Sequence, residues 1–168
     1  RHGGLSNFLH AMIALLGATR ETVLLATTSV SFDIAVLELL LPLAVGGRIV
    51  LASREEAMDG RRWAALVESS GATWLQATPT AWKMLLESAH PDLSRATILC
   101  GGEAFPEQLA RAFLEAGASP WYLYGPTETT VWSSAQRVTS PSGPVPLGLP
   151  IASTTVYLLD RRLLPVPP

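Results

Sequence analysis

Apolar residues fall along this chain in two patterns, at a helical spacing of about 3.6 residues and in short consecutive runs. From Leu5 to Leu16 apolar residues fall at helical spacing, which predicts a helix ending near Gly17. Thr22 to Thr28 is a short β-like run, and Asp33 to Leu43 returns to helical character until Gly46 and Gly47 stop it. Arg48 to Ala52 then reads as a brief buried strand. Three further units repeat one grammar. Asp59 can cap a helix in which Trp63, Leu66, Val67 and Ser70 share a face and Gly71 closes the turn. Ala72 to Thr78 is strand-like. Thr78 and Pro79 open a helix carrying Trp82, Leu85 and Leu86 on one side. Ala96 to Cys100 is another apolar strand. Pro106 opens a helix with Leu109, Phe113 and Leu114 inward and Gly117 at its end, and Ser119 to Leu123 is the next strand.

Strands alternating with helices imply βαβ crossovers, hence an α/β fold with a mostly parallel sheet flanked by helices. After Trp132 the grammar changes. Residues 131–138, a Pro/Gly-rich link through Gly148, and Thr154 to Asp160 read as strand, loop, strand. This predicts a short antiparallel tail. The expected division is a βαβ substrate-binding subdomain over 1–130 and a β-rich tail over 131–168.

Composition narrows the picture. The chain is 48% hydrophobic and only 15% charged, against roughly 25% charged in an ordinary soluble domain. Such scarcity of charge suggests a surface partly covered by neighbouring segments, and both ends are expected to be boundaries of an excised piece. The net charge of −2, without a basic run, argues against nucleic-acid binding. Val36 to Val45 is broken by Glu38 and Pro42 and falls short of the ~20 residues that span a bilayer. The N-terminal stretch lacks a signal-peptide cleavage pattern. Cys100 is the lone cysteine, which suits a reducing cytoplasm, and His2, His10 and His90 are scattered rather than set at metal-ligand spacing.

Ligands of open parallel sheets bind at the carboxyl ends of the strands. Two such loops draw attention: Gly101-Gly102-Glu103, and Tyr124 to Thr130, which reads Tyr-Gly-Pro-Thr-Glu-Thr-Thr. The second offers an aromatic face, exposed amides and hydroxyls for phosphate, and a carboxylate for Mg²⁺. It is equally a polar turn in which Glu128 caps the following backbone. The paired glycines are a tight turn or a close approach to a ligand. Asp33, at the head of an apolar stretch, is a helix N-cap or a carboxylate facing a dry pocket, where a substrate ammonium would pair with it.

These residues resemble the adenylation domains of nonribosomal peptide synthetases, within the adenylate-forming and acyl-CoA synthetase superfamily. Leu123 to Thr130 resembles the Tyr-Gly-Pro-Thr-Glu signature of those enzymes, and Ser31 to Glu38 their Phe-Asp motif. His2 to Phe8 is similar to the stretch after their phosphate loop. Leu147 to Ile151 and Val156 to Asp160 are similar to the segment before their next motif. The resemblance covers essentially the whole chain, in order.

It implies part of the large N-terminal domain of an enzyme that joins an amino acid to AMP, using ATP and Mg²⁺. The aminoacyl group then passes to a phosphopantetheinyl carrier protein, and the rest of the adenylation domain is a further partner. Carried over by position, Tyr124 would stack on adenine, Gly102, Glu103 and Ala104 would lie along it, and Glu128 would help hold Mg²⁺. Thr127 would contact the α-phosphate or acyl carboxylate region, and Thr127 and Glu128 form the catalytic pair. The family usually has Asn at the position of Tyr122, where it bonds the adenine amino group, so that contact is open here. The upstream phosphate loop, the downstream ribose-binding Asp and the catalytic Lys lie outside this sequence, so the segment alone is expected to be inactive.

The resemblance also implies a substrate pocket at Asp33, Ile34, Leu37, Gln76, Leu99, Gly101, Leu123, Val131 and Trp132. Asp33 would pair with the α-ammonium. Leu37, Leu99, Leu123 and Trp132 are bulky, so only a small side chain should fit. Glycine is the expected substrate and alanine the second. An acyl- or aryl-CoA ligase fragment is the alternative within the superfamily, and a non-catalytic α/β binding module the alternative outside it. A carboxylate at Asp33 facing an acyl chain would be an unpaired buried charge, which argues against the former.

Overall fold

The computed structural model describes residues 1–140 and 143–166. Its centre is one seven-stranded sheet in the order β2-β1-β3-β4-β5-β6-β7. β1 (Val23–Ala26), β2 (Arg48–Leu51), β3 (Trp74–Ala77), β4 (Thr97–Gly101) and β5 (Trp121–Tyr124) are parallel. β6 (Ser134–Arg137) and β7 (Leu149–Pro150) add to the far edge antiparallel. The α/β class, the mostly parallel sheet and the antiparallel tail are therefore as the pattern implies.

Strand alternation divides the core in two. Leu24, Trp74, Leu99 and Leu123 face α1 (His2–Leu16) and α2 (Ala35–Val45), which bring Phe8, Met12, Leu37 and Leu41. Leu25, Leu75, Ile98, Cys100 and Tyr122 face the opposite layer of α4 (Gly60–Ser70), α5 (Pro79–Ser88) and α6 (Glu107–Glu115). There Trp82 stands between Trp63 and Phe113, with ring centroids 5.4 and 5.1 Å away. The chain runs outward from β1 to β2, then returns to place β3 on the other side of β1. That reversal leaves a crevice between the carboxyl ends of β1 and β3, where ligands of such sheets bind.

Helix limits follow local chemistry. Asp59 accepts from the Arg61 and Arg62 amides at 2.9 and 3.1 Å, and Thr78 accepts from Ala81 at 3.3 Å with Pro79 in the first turn. α3 (Arg54–Ala57) escapes the periodicity argument because it is one turn long. It is held by a reciprocal cap between Ser53 and Glu56, a Ser-x-x-Glu signature the sequence did carry.

The expected strand over Thr154 to Asp160 is not formed. Its β-branched and aromatic residues have no neighbouring strand among the described residues, and Val156, Tyr157 and Leu158 stand exposed. Instead the Asp160 carboxylate accepts from the Arg162 and Leu164 amides at 2.7 and 3.0 Å, turning the chain back. Pairing is confined to one bridge between Leu159 and Pro165.

Candidate functional site

Because the central strands are parallel, the turns after β1, β3, β4 and β5 all open at one edge. Thr27–Ile34, Thr78, Gly102–Phe105 and Gly125–Val131 meet there. The register sets Gln76 beside Leu99 and Gly101 beside Leu123, so these four side-chain positions share the α1/α2 face.

The turn after β5 is unusually constrained. A Cβ at Gly125 would fall 2.3 Å from the Val131 carbonyl oxygen and 2.7 Å from Trp132 Cα, so only glycine lets the chain double back this closely. Thr127–Thr129 form a single 3-10 turn, and the Ser133 amide donates to the Tyr124 carbonyl at 2.7 Å. Thr130 and Val131 have φ of 73° and 65°. Two consecutive β-branched residues in the left-handed region cost on the order of 1–3 kcal/mol each. The result is a reversal of direction. Tyr124, Thr127 and Glu128 stay exposed on the edge while Val131 and Trp132 turn into the core. Glu128 does not cap the following backbone among the described residues; the Thr130 amide donates to the Thr127 carbonyl.

The inward half forms a packed wall. Leu37, Leu99, Leu123, Val131 and Trp132 are all buried in one cluster, and Ile34 packs on its margin. Gly101 is where the Trp132 ring rests: a Cβ there would be 2.6 Å from Cη2 and 2.9 Å from Cζ3. The space that glycine opens is filled by indole.

A buried polar chain ties this wall together. Trp132 Nε1 donates to Gln76 Oε1 at 3.1 Å. Gln76 Nε2 donates to the Ile34 carbonyl at 2.8 Å and to Glu38 Oε1 at 3.0 Å. Glu38 also accepts from the Thr28 hydroxyl at 2.6 Å and from the Thr27 and Thr28 amides, each at 3.0 Å. Burial pushes the Glu38 carboxyl above its ordinary pKa, against the lowering effect of the Thr28, Gln76 and Thr27 bonds. Sequence reasoning saw Glu38 only as an interruption of an apolar run. Its helical spacing from Ile34 and Leu41 was the signal that it points inward.

Asp33 lies half-buried in the turn before α2. It is not the cap: Ile34 holds that position, without a side-chain bond, and Asp33 accepts from the Val36 amide only through its carbonyl, at 2.9 Å. Among the described residues its carboxylate has no partner.

Gly102, Glu103 and Ala104 are exposed along the edge, with Gly102 at φ 85°. Glu103 Oε2 accepts from the Thr80 hydroxyl at 2.7 Å. Tyr122 lies apart from this wall, on the opposite sheet face. It stacks on Phe105 at 5.4 Å between centroids, donates to the Glu103 carbonyl at 3.3 Å, and burial pushes its pKa up. The structure thus separates the sequence-derived residues into a buried wall on the α1/α2 face and an exposed strip along the edge, with Tyr122 beneath the strip. Among the described residues no three His, Cys, Asp or Glu side chains gather as a metal site. Glu128 and Thr127 offer an oxygen pair of the kind Mg²⁺ shares with phosphates.

The AMP-binding enzyme family matches over residues 1–168. The chain is 43% identical to a dimodular nonribosomal peptide synthase of Bacillus subtilis over 98% of its own length, and spans 7% of that synthase. It is 35% identical to bacitracin synthase 3 of Bacillus licheniformis over 98% of its length, spanning 2% of that protein. Among solved structures, holo-AB3403, a four-domain nonribosomal peptide synthetase bound to AMP and glycine, superposes with a TM-score of 0.94 at 45% identity. The match covers 99% of this chain and 13% of that one. The chain belongs to the AMP-binding enzyme family and, within it, to the adenylation domains of nonribosomal peptide synthetases.

Proposed function

We propose that this segment forms the amino-acid pocket of an adenylation domain that activates glycine, with alanine as the poorer substrate. The observation that carries the reading is the Trp132 ring lying on Gly101, inside a wall of Leu37, Leu99 and Leu123. An indole in that position occupies the volume a substrate side chain would need. The similarity to a synthetase bound to AMP and glycine supports the same reading.

In this reading Asp33 pairs with the substrate α-ammonium. It is half-buried in the turn before α2 and free of any competing partner among the described residues. A charge-assisted bond there is stronger than a neutral one and gains from partial shielding from water. The bound amino acid presents its carboxylate to the strip along the edge. There a carboxylate oxygen attacks the α-phosphorus of ATP, the bond to the β-phosphate oxygen breaks, and pyrophosphate leaves with the electron pair. Thr127 steadies the reacting oxygens by hydrogen bonding, Tyr124 offers its exposed ring to adenine, and Gly102 to Ala104 border the same base. Glu128 would hold Mg²⁺, which supplies neutralising charge to the phosphates when bound. Transfer to a carrier-protein thiol follows in the complete enzyme.

Asp33→Ala tests the assignment in the complete domain. Amino-acid-dependent ATP–pyrophosphate exchange should fall at least about a hundredfold, of the order lost when one partner of a buried charge pair is removed. Exchange unchanged by the substitution would remove the ammonium-binding role.

A further inference from the structure

Glu38 belongs to no pocket position identified from the sequence, yet it sits where four segments around the proposed pocket are joined. At the carboxyl ends of β1 and β3, Glu38 and Gln76 are bonded to each other, and Glu38 also accepts from the Thr27 amide just after β1. Through them the turn after β1, the head of α2, the end of β3 and the segment after β5 are bonded in series, from Thr27 and Thr28 to Trp132.

The orientation of the Gln76 amide is the sensitive element. Its oxygen must face the Trp132 indole N–H and its nitrogen must face the Ile34 carbonyl. A flipped amide would set donor against donor at Trp132 and acceptor against acceptor at Ile34 and Glu38. Glu38 reinforces the orientation that the Ile34 carbonyl and the Trp132 N–H also select, since every group facing its carboxylate is a donor: two amides, one hydroxyl and the Gln76 NH₂. An amide at position 38 would present an NH₂ either to two backbone N–H groups or to the Gln76 NH₂. In both arrangements donors oppose each other in a buried site, which is costly to leave unrelieved.

We propose that Glu38 is a positioning residue for substrate selection, fixing the Gln76 amide so that the Trp132 indole stays clamped on Gly101 and excludes side chains. The proposal rests on the glycine-pocket reading. It predicts that loosening Glu38 changes which amino acid is accepted more than how fast glycine is activated.

The test uses the complete adenylation domain carrying this chain, and measures kcat and KM for glycine, alanine and serine in pyrophosphate exchange. The unsubstituted domain checks the pocket reading by itself: a preference for a large amino acid there sinks that reading whatever Glu38 does. Glu38→Gln then checks the proposal. The glycine-to-alanine ratio of kcat/KM should drop about tenfold, chiefly through a lower KM for alanine, and the Trp132 indole N–H resonance should move. In a Trp132→Phe background, which has no indole N–H to hold, the same substitution should change the ratio little. Equal losses for glycine and alanine with the ratio intact would overturn the proposal, because a purely structural glutamate would act that way. If Glu38→Gln does not fold, Thr28→Val, which removes only the hydroxyl donor to Glu38, is read instead. It should lower the ratio in the same sense, and an unchanged ratio in that variant overturns the proposal.

Discussion

Adding one methyl group at Gly101 probes the packing on which the proposed pocket depends. The new carbon would stand 2.5 Å from the Leu123 carbonyl oxygen and 2.6 Å from Trp132 Cη2. Carbon atoms rest about 3.5–4.0 Å apart, so the ring must withdraw by roughly 1 Å. It has little freedom to do so, being 1% exposed and bonded through Nε1 to Gln76 at 3.1 Å. No rotamer change relieves the carbonyl contact either, because Leu123 is held in register with Gly101 across the sheet. Overpacking a core costs ~1–3 kcal/mol. With one clash on backbone, Gly101→Ala should fall in the upper half of that range, about 2–3 kcal/mol. Urea titration of the complete domain, followed by tryptophan fluorescence, measures the loss. Combining it with Trp132→Leu should give less than the sum of the two single losses, since the indole clash is then absent. A Gly101→Ala domain within ~0.5 kcal/mol of the parent, the range of ordinary surface changes, would show that the ring does not rest there and would refute the packing argument.

Other consequences follow from the edge and the buried chain. Glu128→Gln keeps the shape of an exposed side chain but removes its charge; exchange activity should fall and recover partly at higher Mg²⁺, and an unaltered Mg²⁺ dependence would exclude it as a ligand. Tyr122→Phe removes only the hydroxyl bonded to the Glu103 carbonyl at 3.3 Å. Stability should drop by ~0.5–1.5 kcal/mol with the KM for ATP nearly unchanged; a rise of about tenfold in that KM would place the hydroxyl on the nucleotide. The Glu38 carboxyl has a folded pKa raised above 4.5, so the folded state holds its proton more tightly than the unfolded one. Its contribution to stability therefore declines as pH rises from that value through the folded pKa. The advantage in urea midpoint of the parent over Glu38→Gln should shrink as pH rises across the mildly acidic range, the other carboxyls contributing alike to both.

How far the sequence spoke depended on the range of the forces involved. Asp59, Thr78 and the closing glycines Gly17, Gly46 and Gly71 act within a few residues of themselves, so helix ends could be read directly. Tyr124 to Thr130 was legible as a motif, but its left-handed Thr130 and Val131 were not, since β-branched residues give no local warning of positive φ. Glu38 was hidden for a different reason. A buried acid is tolerable only with donors from elsewhere, and those come from Thr27, Thr28 and Gln76, up to 38 residues away. Thr154 to Asp160 failed in the opposite sense: its β-branched and aromatic residues suit a strand, and composition alone cannot supply a neighbour.

On the proposed reading, a filled pocket selects the smallest amino acid. Its most direct test is to place residues 1–168 in a complete adenylation domain, in place of the corresponding segment, and measure ATP–pyrophosphate exchange with each of the twenty amino acids. Glycine should lead and alanine follow, separated by the ~1–3 kcal/mol that one methyl group commands in a close-fitting site. A profile led by a large side chain such as leucine or phenylalanine would contradict the account, because the Trp132 ring would then not be where substrate volume is decided.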